Sequence, residues 1–141
     1  MVTVFDVDGR KLIAEAATAL EAQNALQPPA WSKFTKSGVC AERVPEQENW
    51  WFIRGAAMMR KIYMEGPIGV RDLRKEFGKK RRMGVRPARV YPASGAVTRK
   101  LMQQLEKAGY VSKAEKDKRY LGRVISAKGR GFLDTIAKKV K

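Results

Sequence analysis

The stretch from Ser94 to Ser126, SGAVTRKLMQQLEKAGYVSKAEKDKRYLGRVIS, contains the change of period that decides the fold. Its first half repeats Val97, Leu101, Leu105 and Ala108 at helical spacing and turns Arg99, Lys100, Gln103 and Lys107 the other way. Ser94 stands where an N-cap belongs, and Gly109 where a helix ends. YVSK and LGRVIS then read as short strands rich in β-branched and aromatic residues, joined by the polar AEKDKRY. A helix followed by a hairpin with a charged tip is therefore predicted. Beyond it, Ser126 can cap a last helix that turns Phe132, Leu133, Ile136, Ala137 and Val140 inward.

Working upstream, WWFIRGAAMMRKIYMEG (residues 50–66) follows Asn49 as an N-cap and sets Phe52, Ile53, Ala56, Met59, Ile62 and Tyr63 on one broad face. Arg54 and Lys61, seven apart, fall nearly in line off that face with Arg60 beside them, so the spacing predicts a basic edge on a buried helix. VRDLRKEF (70–77) adds a shorter helix with Val70, Leu73 and Phe77 inward, Asp72 in its first turn and Gly78 as a left-handed stop. Helix, helix, helix, hairpin, helix is the order of a winged helix. The expected fold class is thus mainly α: a basic winged-helix core over 50–141, of three helices, a β-hairpin wing and a C-terminal helix. An N-terminal helical extension over 1–49 completes a single domain. In that extension, Leu12, Ile13, Ala16, Ala17 and Leu20 predict a helix from about Gly9 to Leu26, stopped by Pro28 and Pro29. A helical turn around Trp31 and Phe34 follows, then a loop from Gly38 to Asn49.

Between the second and third core helices lies GKKRRMGVRPARVYPASG (78–95), with Lys79, Lys80, Arg81, Arg82, Arg86 and Arg89 and no acidic residue. Cut by Pro87, Pro92 and three glycines, it suits neither a good helix nor a central strand and is read as a long loop. A same-sign cluster of this kind can be a solvated linker. Val85, Val90 and Tyr91 are apolar anchors that a spacer does not need, and helix–turn–helix connections take only about 3 to 4 residues. Loops this long inside a compact domain are usually functional. Arginine forks and lysine points neutralise phosphates and release their counterions, so the segment predicts a polyanion partner.

The totals agree with that partner. Among 141 residues, 30 Lys and Arg stand against 14 Asp and Glu, a net charge of +16. Residues 1–50 hold 5 basic and 7 acidic side chains, leaving 25 basic and 7 acidic for 51–141, so the polyanion surface belongs to the second part. Cys40 is the only cysteine and there is no histidine. Internal disulfides, Ser-His-Asp and Cys-His catalysis and His-containing metal sites are thereby excluded, and neither a metal nor another cofactor is expected. No apolar run approaches the roughly 20 residues that cross a bilayer, and the first residues lack a signal's basic-then-apolar order. A cytosolic protein with no membrane partner, monomeric when free, is expected.

The remaining constellations are each ambiguous alone. The outward side chains Arg99, Lys100, Gln103 and Lys107 suit a recognition helix or an ordinary solvated face. Lys113, Lys116, Lys118, Arg119 and Arg123 make the hairpin basic, though Glu115 and Asp117 dilute it. Trp31, Trp50, Trp51 and Tyr63 could stack on bases, yet aromatics at helix starts more often fill a core. Gly66-Pro-Ile-Gly69 matches a KH-type GxxG, but Pro67 removes one of the amides such a loop offers, and no strand precedes the first helix. No catalytic constellation is found, and the chain is not expected to be an enzyme.

With these residues in place, the chain resembles the archaeal and eukaryotic small-subunit ribosomal protein family S19e. The resemblance runs through Trp51 to Ala56, Arg60 to Tyr63, Gly69 to Leu73, Phe77 and Gly78, Gly84 to Pro87, and Ser94 to Arg99 leading into LMQQLEKAGYV. It continues through Gly122 and Arg123 and through Ser126 to Gly129. It implies a protein built around one central helix, seated in the head of the small subunit, bound to small-subunit ribosomal RNA and beside neighbouring ribosomal proteins. In eukaryotic relatives it also implies late maturation of the subunit at the RNA's 3′ side. By position, it assigns Arg54, Arg60 and Arg99 to an RNA-facing patch. The residues expected to bind RNA are therefore Arg54, Arg60, Lys61, Lys79, Lys80, Arg81, Arg82, Arg86, Arg89, Arg99 and Lys100. The rival reading is a winged-helix DNA-binding transcription regulator that dimerises through its N-terminal helix. The 16-residue gap between its two key helices counts against it.

Overall fold

A computed structural model describes residues 1–116 and 119–141. Asp117 and Lys118 of the expected charged tip lie outside the described residues. The fold is mixed α/β. Five α-helices run as α1 (Gly9–Ala22), α2 (Trp50–Glu65), α3 (Val70–Glu76), α4 (Gly95–Lys107) and α5 (Ala127–Val140). Two antiparallel hairpins interrupt them: β1 (Lys79–Met83) with β2 (Arg86–Tyr91), and β3 (Val111–Lys116) with β4 (Arg119–Ile125).

α2 is central, as its apolar breadth predicts, and packs against α1, α4, α5 and β4. Its Trp51, Met58, Met59 and Ile62 are fully buried with Leu12 and Leu20 of α1, Leu73 of α3, Leu101, Met102 and Leu105 of α4 and Leu133 of α5. Truncating one such leucine to alanine typically costs about 2 to 5 kcal/mol. Gly55 leaves room for the chain after α1: a Cβ there would stand 2.5 Å from Leu26 Cδ1, and the buried Leu26 side chain would have to shift.

Local chemistry accounts for the helix boundaries, with three corrections to the sequence reading. α4 is capped as expected: Ser94 Oγ accepts the Val97 N–H at 3.5 Å, and at the far end Gly109 (φ +79°) lets the Tyr110 N–H donate to the Leu105 carbonyl. α5 likewise starts on Ser126, whose Oγ accepts from Gly129 and donates to the Gly109 carbonyl, tying α5 to the end of α4. α1, by contrast, stops at Ala22 rather than Leu26. Asn24 takes a left-handed φ of +48°, and the N–H groups of Asn24 and Ala25 donate to Glu21 and Leu20, ending the helix before the prolines are reached. Asn49 precedes α2 but its side chain caps nothing. Gly78 is not left-handed; it is needed for space, since a Cβ would lie 2.6 Å from the Tyr91 carbonyl oxygen.

The largest difference concerns residues 79–91, expected as a loop and found as a hairpin. The missed signal is Met83-Gly84-Val85-Arg86: a two-residue turn in which only the first central residue, Gly84 (φ +72°), has positive φ, the requirement of a type II′ hairpin turn. Pro87 is accommodated because the register slips by one between the pairs Arg81–Arg89 and Met83–Arg86, placing it in a bulge where no ladder N–H is needed.

Candidate nucleic-acid interface

The β1–β2 hairpin stands on a base that is fixed from two sides. The Ala93 N–H donates to the Arg74 carbonyl at 2.9 Å, and Arg74 Nε donates back to the Ala93 carbonyl at 2.9 Å, joining α3 to the strand exit. On the other side Arg81 Nη1 donates to the Val39 carbonyl at 3.2 Å, and the Ser94 N–H donates to the Ser37 carbonyl at 2.9 Å. The N-terminal segment 37–39 is thereby held against the hairpin and the start of α4.

Above this base the hairpin is a rack of free charge. Lys79, Lys80, Arg82, Arg86 and Arg89 are exposed and Arg81 is half-buried. Among the described residues none of the six lies in an ion pair. Arg81 sits directly opposite Arg89, a like-charge cross-strand pair that costs the free protein some tenths of a kcal/mol up to about 1. Val90 is 73% exposed and no residue of either strand is fully buried, so apolar packing does little to offset that cost. A polyanion laid on the hairpin removes the repulsion. Arg99 and Lys100 are exposed on the second turn of α4, which is separated from the end of β2 by three residues.

The basic edge expected on α2 is present in register but differs in character. Arg54 and Lys61 do lie in line, both facing α3. Arg54 is half-buried with its guanidinium carbon 4.6 Å from the centre of the Phe77 ring, and burial lowers its pKa from the ordinary value. Lys61 is half-exposed, and its ammonium donates to Glu65 at 2.6 Å and to Glu76 of α3 at 2.7 Å, bonds that raise its pKa, Glu65 foremost. Arg60 is not outward either: its guanidinium packs on Gly9 at the start of α1, with a buried Nε that has no partner among the described residues. Of these three, only Arg54 reaches the hairpin, lining with Lys79 and Arg43 a small cleft of about 270 Å³.

The second hairpin uses its charge differently. Arg123 is only 14% exposed in its side chain and meets Glu106 of α4 through both Nε and Nη2 at 2.9 Å, with Lys113 3.7 Å from the same carboxylate. Lys128 donates to the Ala108 carbonyl and lies 4.8 Å from the Tyr110 ring centre. The tryptophans resolve by position: Trp50 and Trp51 are buried, with Trp51 Nε1 donating to Gln104, whereas Trp31 is half-buried beside an open cavity. Sequence reasoning missed Lys36 and Arg43, which the folding of 37–39 onto the hairpin brings to the basic side. Arg43 lies among Glu42, Glu46 and Glu48, and the only charged residue near Lys36 in the sequence is Lys33, so only the long-range hydrogen bonds identify them. Among the described residues no group of acidic or Cys side chains could hold a metal, and no helix is long and apolar enough to cross a membrane.

Comparison with known proteins gives a consistent answer. The family model for ribosomal protein S19e matches residues 3–141. The small ribosomal subunit protein eS19 of Haloarcula marismortui is 40% identical over 141 residues, covering 97% of this chain and 90% of that protein. The protein of the same name from Aeropyrum pernix is 39% identical, covering 99% and 90%. That from Emericella nidulans is 42% identical over 137 residues, covering 97% and 90%. The chain belongs to the ribosomal protein S19e family.

Proposed function

We propose that this chain is a structural constituent of the small ribosomal subunit, binding small-subunit ribosomal RNA with the β1–β2 hairpin as its principal contact. The observation that carries the reading is the hairpin itself: six cations without a protein counter-charge among the described residues, on strands that bury little. Arg99 and Lys100 extend the contact along α4, and Arg54 joins it from below beside Lys79. Arg60 and Lys61, already held by the protein, contribute less. Side chains of this kind read phosphates and helix shape rather than base sequence.

The core over 50–141 is proposed as a winged helix. Supporting this, Ile68, between α2 and α3, exchanges backbone hydrogen bonds of 3.0 Å in both directions with Arg123 of β4, so the segment joining the first two core helices pairs with the wing. The β1–β2 hairpin is then an insertion between the second and third helices of that core.

Sedimentation of native lysate on a sucrose gradient tests the function. The protein should travel with small subunits at physiological salt and be released as salt rises. Six phosphate contacts on purified RNA should give a slope of log affinity against log salt of about −4 to −5. A chain that stays at the top of the gradient at low salt defeats the reading.

A further inference from the structure

Resting on the RNA-binding reading above, we infer that a cavity beside the hairpin is a pocket for one unpaired nucleotide of the bound RNA strand, its base stacking on Phe34 and its phosphate meeting Arg81 and Lys36. The cavity, about 750 Å³, opens between the turn at Ala30–Lys33 with the residues that follow it, the base of β1 and the first turn of α4. Its walls are apolar, from Trp31, Phe34, Val39 and Val97. Among the described residues, Arg81 and Lys36 are its only charged lining residues, and no acidic side chain borders it.

The two aromatic walls are unequal in a way that suits stacking. Trp31 is fixed: its ring meets the buried Trp51 edge-on, with centroids 5.7 Å apart and planes at 83°, and the Trp31 carbonyl accepts from Thr35 Oγ1 and the Phe34 N–H. Among the described residues Phe34 makes no comparable aromatic contact, and 80% of its surface is exposed to water. The pocket is continuous with the proposed interface because Arg81 belongs to both. It sits on β1 with one guanidinium N–H given to Val39, and among the described residues its other donors have no partner. A strand lying along the hairpin phosphates would pass the mouth of the cavity. A cation–aromatic pairing beside a phosphate track is the arrangement by which proteins hold single-stranded RNA, whereas a duplex keeps its bases stacked and cannot enter. An acidic peptide would satisfy Arg81 and Lys36 but gives no reason for an exposed phenyl ring lining an apolar cavity.

Fluorescence anisotropy of the full chain with two probes, an adenine-rich single-stranded RNA and a blunt RNA duplex of equal length, tests the pocket. Phe34→Ala should weaken the single strand about tenfold and leave the duplex within about twofold, while Phe34→Tyr restores the wild-type value. Because Phe34 is exposed, far-UV circular dichroism and the unfolding midpoint should not change. Equal losses on both probes, or none on either, overturn the pocket while the basic hairpin stands. Normal binding of both RNAs by Phe34→Ala, coupled with its absence from small subunits, also overturns it, by assigning the cavity to a protein neighbour. A wild-type chain that binds neither probe at low salt removes the RNA-binding reading and the pocket with it.

Discussion

Both hairpins are cationic, both are two-stranded and antiparallel, and both carry a one-residue register slip, yet they are embedded differently. β3–β4 buries Val111 and Ile125, pairs through Arg123 with Ile68, and delivers Arg123 and Lys113 to Glu106. β1–β2 has no fully buried residue, and its charges find no acid among the described residues. Charge density alone therefore does not mark an interface. What separates the two is whether the tertiary structure brings a carboxylate to meet the cations: α4 supplies one to the second hairpin and, among the described residues, none meets the first. On the proposed reading, the first hairpin keeps its charge for RNA.

The sharpest way to break this contrast is to neutralise the first hairpin. Four phosphate contacts at physiological salt are worth about a 10²- to 10³-fold change in affinity, or about 3 to 4 kcal/mol. Lys79, Lys80, Arg82 and Arg89 replaced together by Gln should therefore lose that much RNA affinity and flatten the salt slope by about 3. Urea unfolding should be unchanged or slightly improved, since the repulsion between Arg89 and Arg81 is relieved. A variant that binds normally would show that the hairpin is not the interface.

The glycines give a second contrast. Gly122 sits at φ +120°, and a Cβ there would stand 2.6 Å from the backbone of Ile68. Gly122→Ala should therefore cost about 3 kcal/mol, from the left-handed backbone and the collision together. Gly84 also has positive φ but opens onto empty space, so Gly84→Ala should cost only about 1 kcal/mol, from the backbone alone. Urea midpoints of the two variants measure the difference. Equal costs would mean that the second hairpin is not anchored through Ile68.

Next in size is the ion pair. Arg123→Met leaves the half-buried Glu106 with only the longer Lys113 contact and should cost about 2 kcal/mol, with RNA affinity little altered. Arg89→Met should reverse the pattern, holding or raising stability by a few tenths of a kcal/mol while weakening RNA.

How much of this was legible in the sequence depends on the range of the forces involved. α4, its Ser94 cap and its Gly109 exit are local, and they are where the periodicity and capping residues put them. The second hairpin is signalled just as locally by β-branched residues on both sides of a polar run. The first hairpin is also encoded locally, by Gly84 in a two-residue turn, but proline and like charge argued the other way, and the bulge that reconciles Pro87 with a strand has no sequence signature. At the site, the cations of 79–89 could be read from composition, and Arg99 and Lys100 from helical spacing. The burial of Arg54 on Phe77, the packing of Arg60 on Gly9 and the capture of Lys61 by Glu76 could not, because each depends on which helix arrives beside α2.

Lys61 offers the finest test, since it lies on the basic edge by spacing but is held by acids as Arg123 is. Its folded-state pKa is raised above 10.5 by Glu65 first and Glu76 second. Its contribution is therefore fully present below pH 10.5 and is lost as pH rises through the folded value. The pair is about one-third exposed on the Lys side, so screening limits it to about 0.5 kcal/mol. Tyr63 and Tyr110, whose pKa values burial also raises, titrate in the same alkaline range, so the informative quantity is the difference between wild type and Lys61→Met. That difference should be constant from neutral pH to about pH 10 and close above it, while the RNA salt slope of Lys61→Met matches wild type. A slope reduced by nearly one unit would mean that Lys61 exchanges its carboxylates for a phosphate on binding, and that a cation tied in the free protein can still belong to the interface.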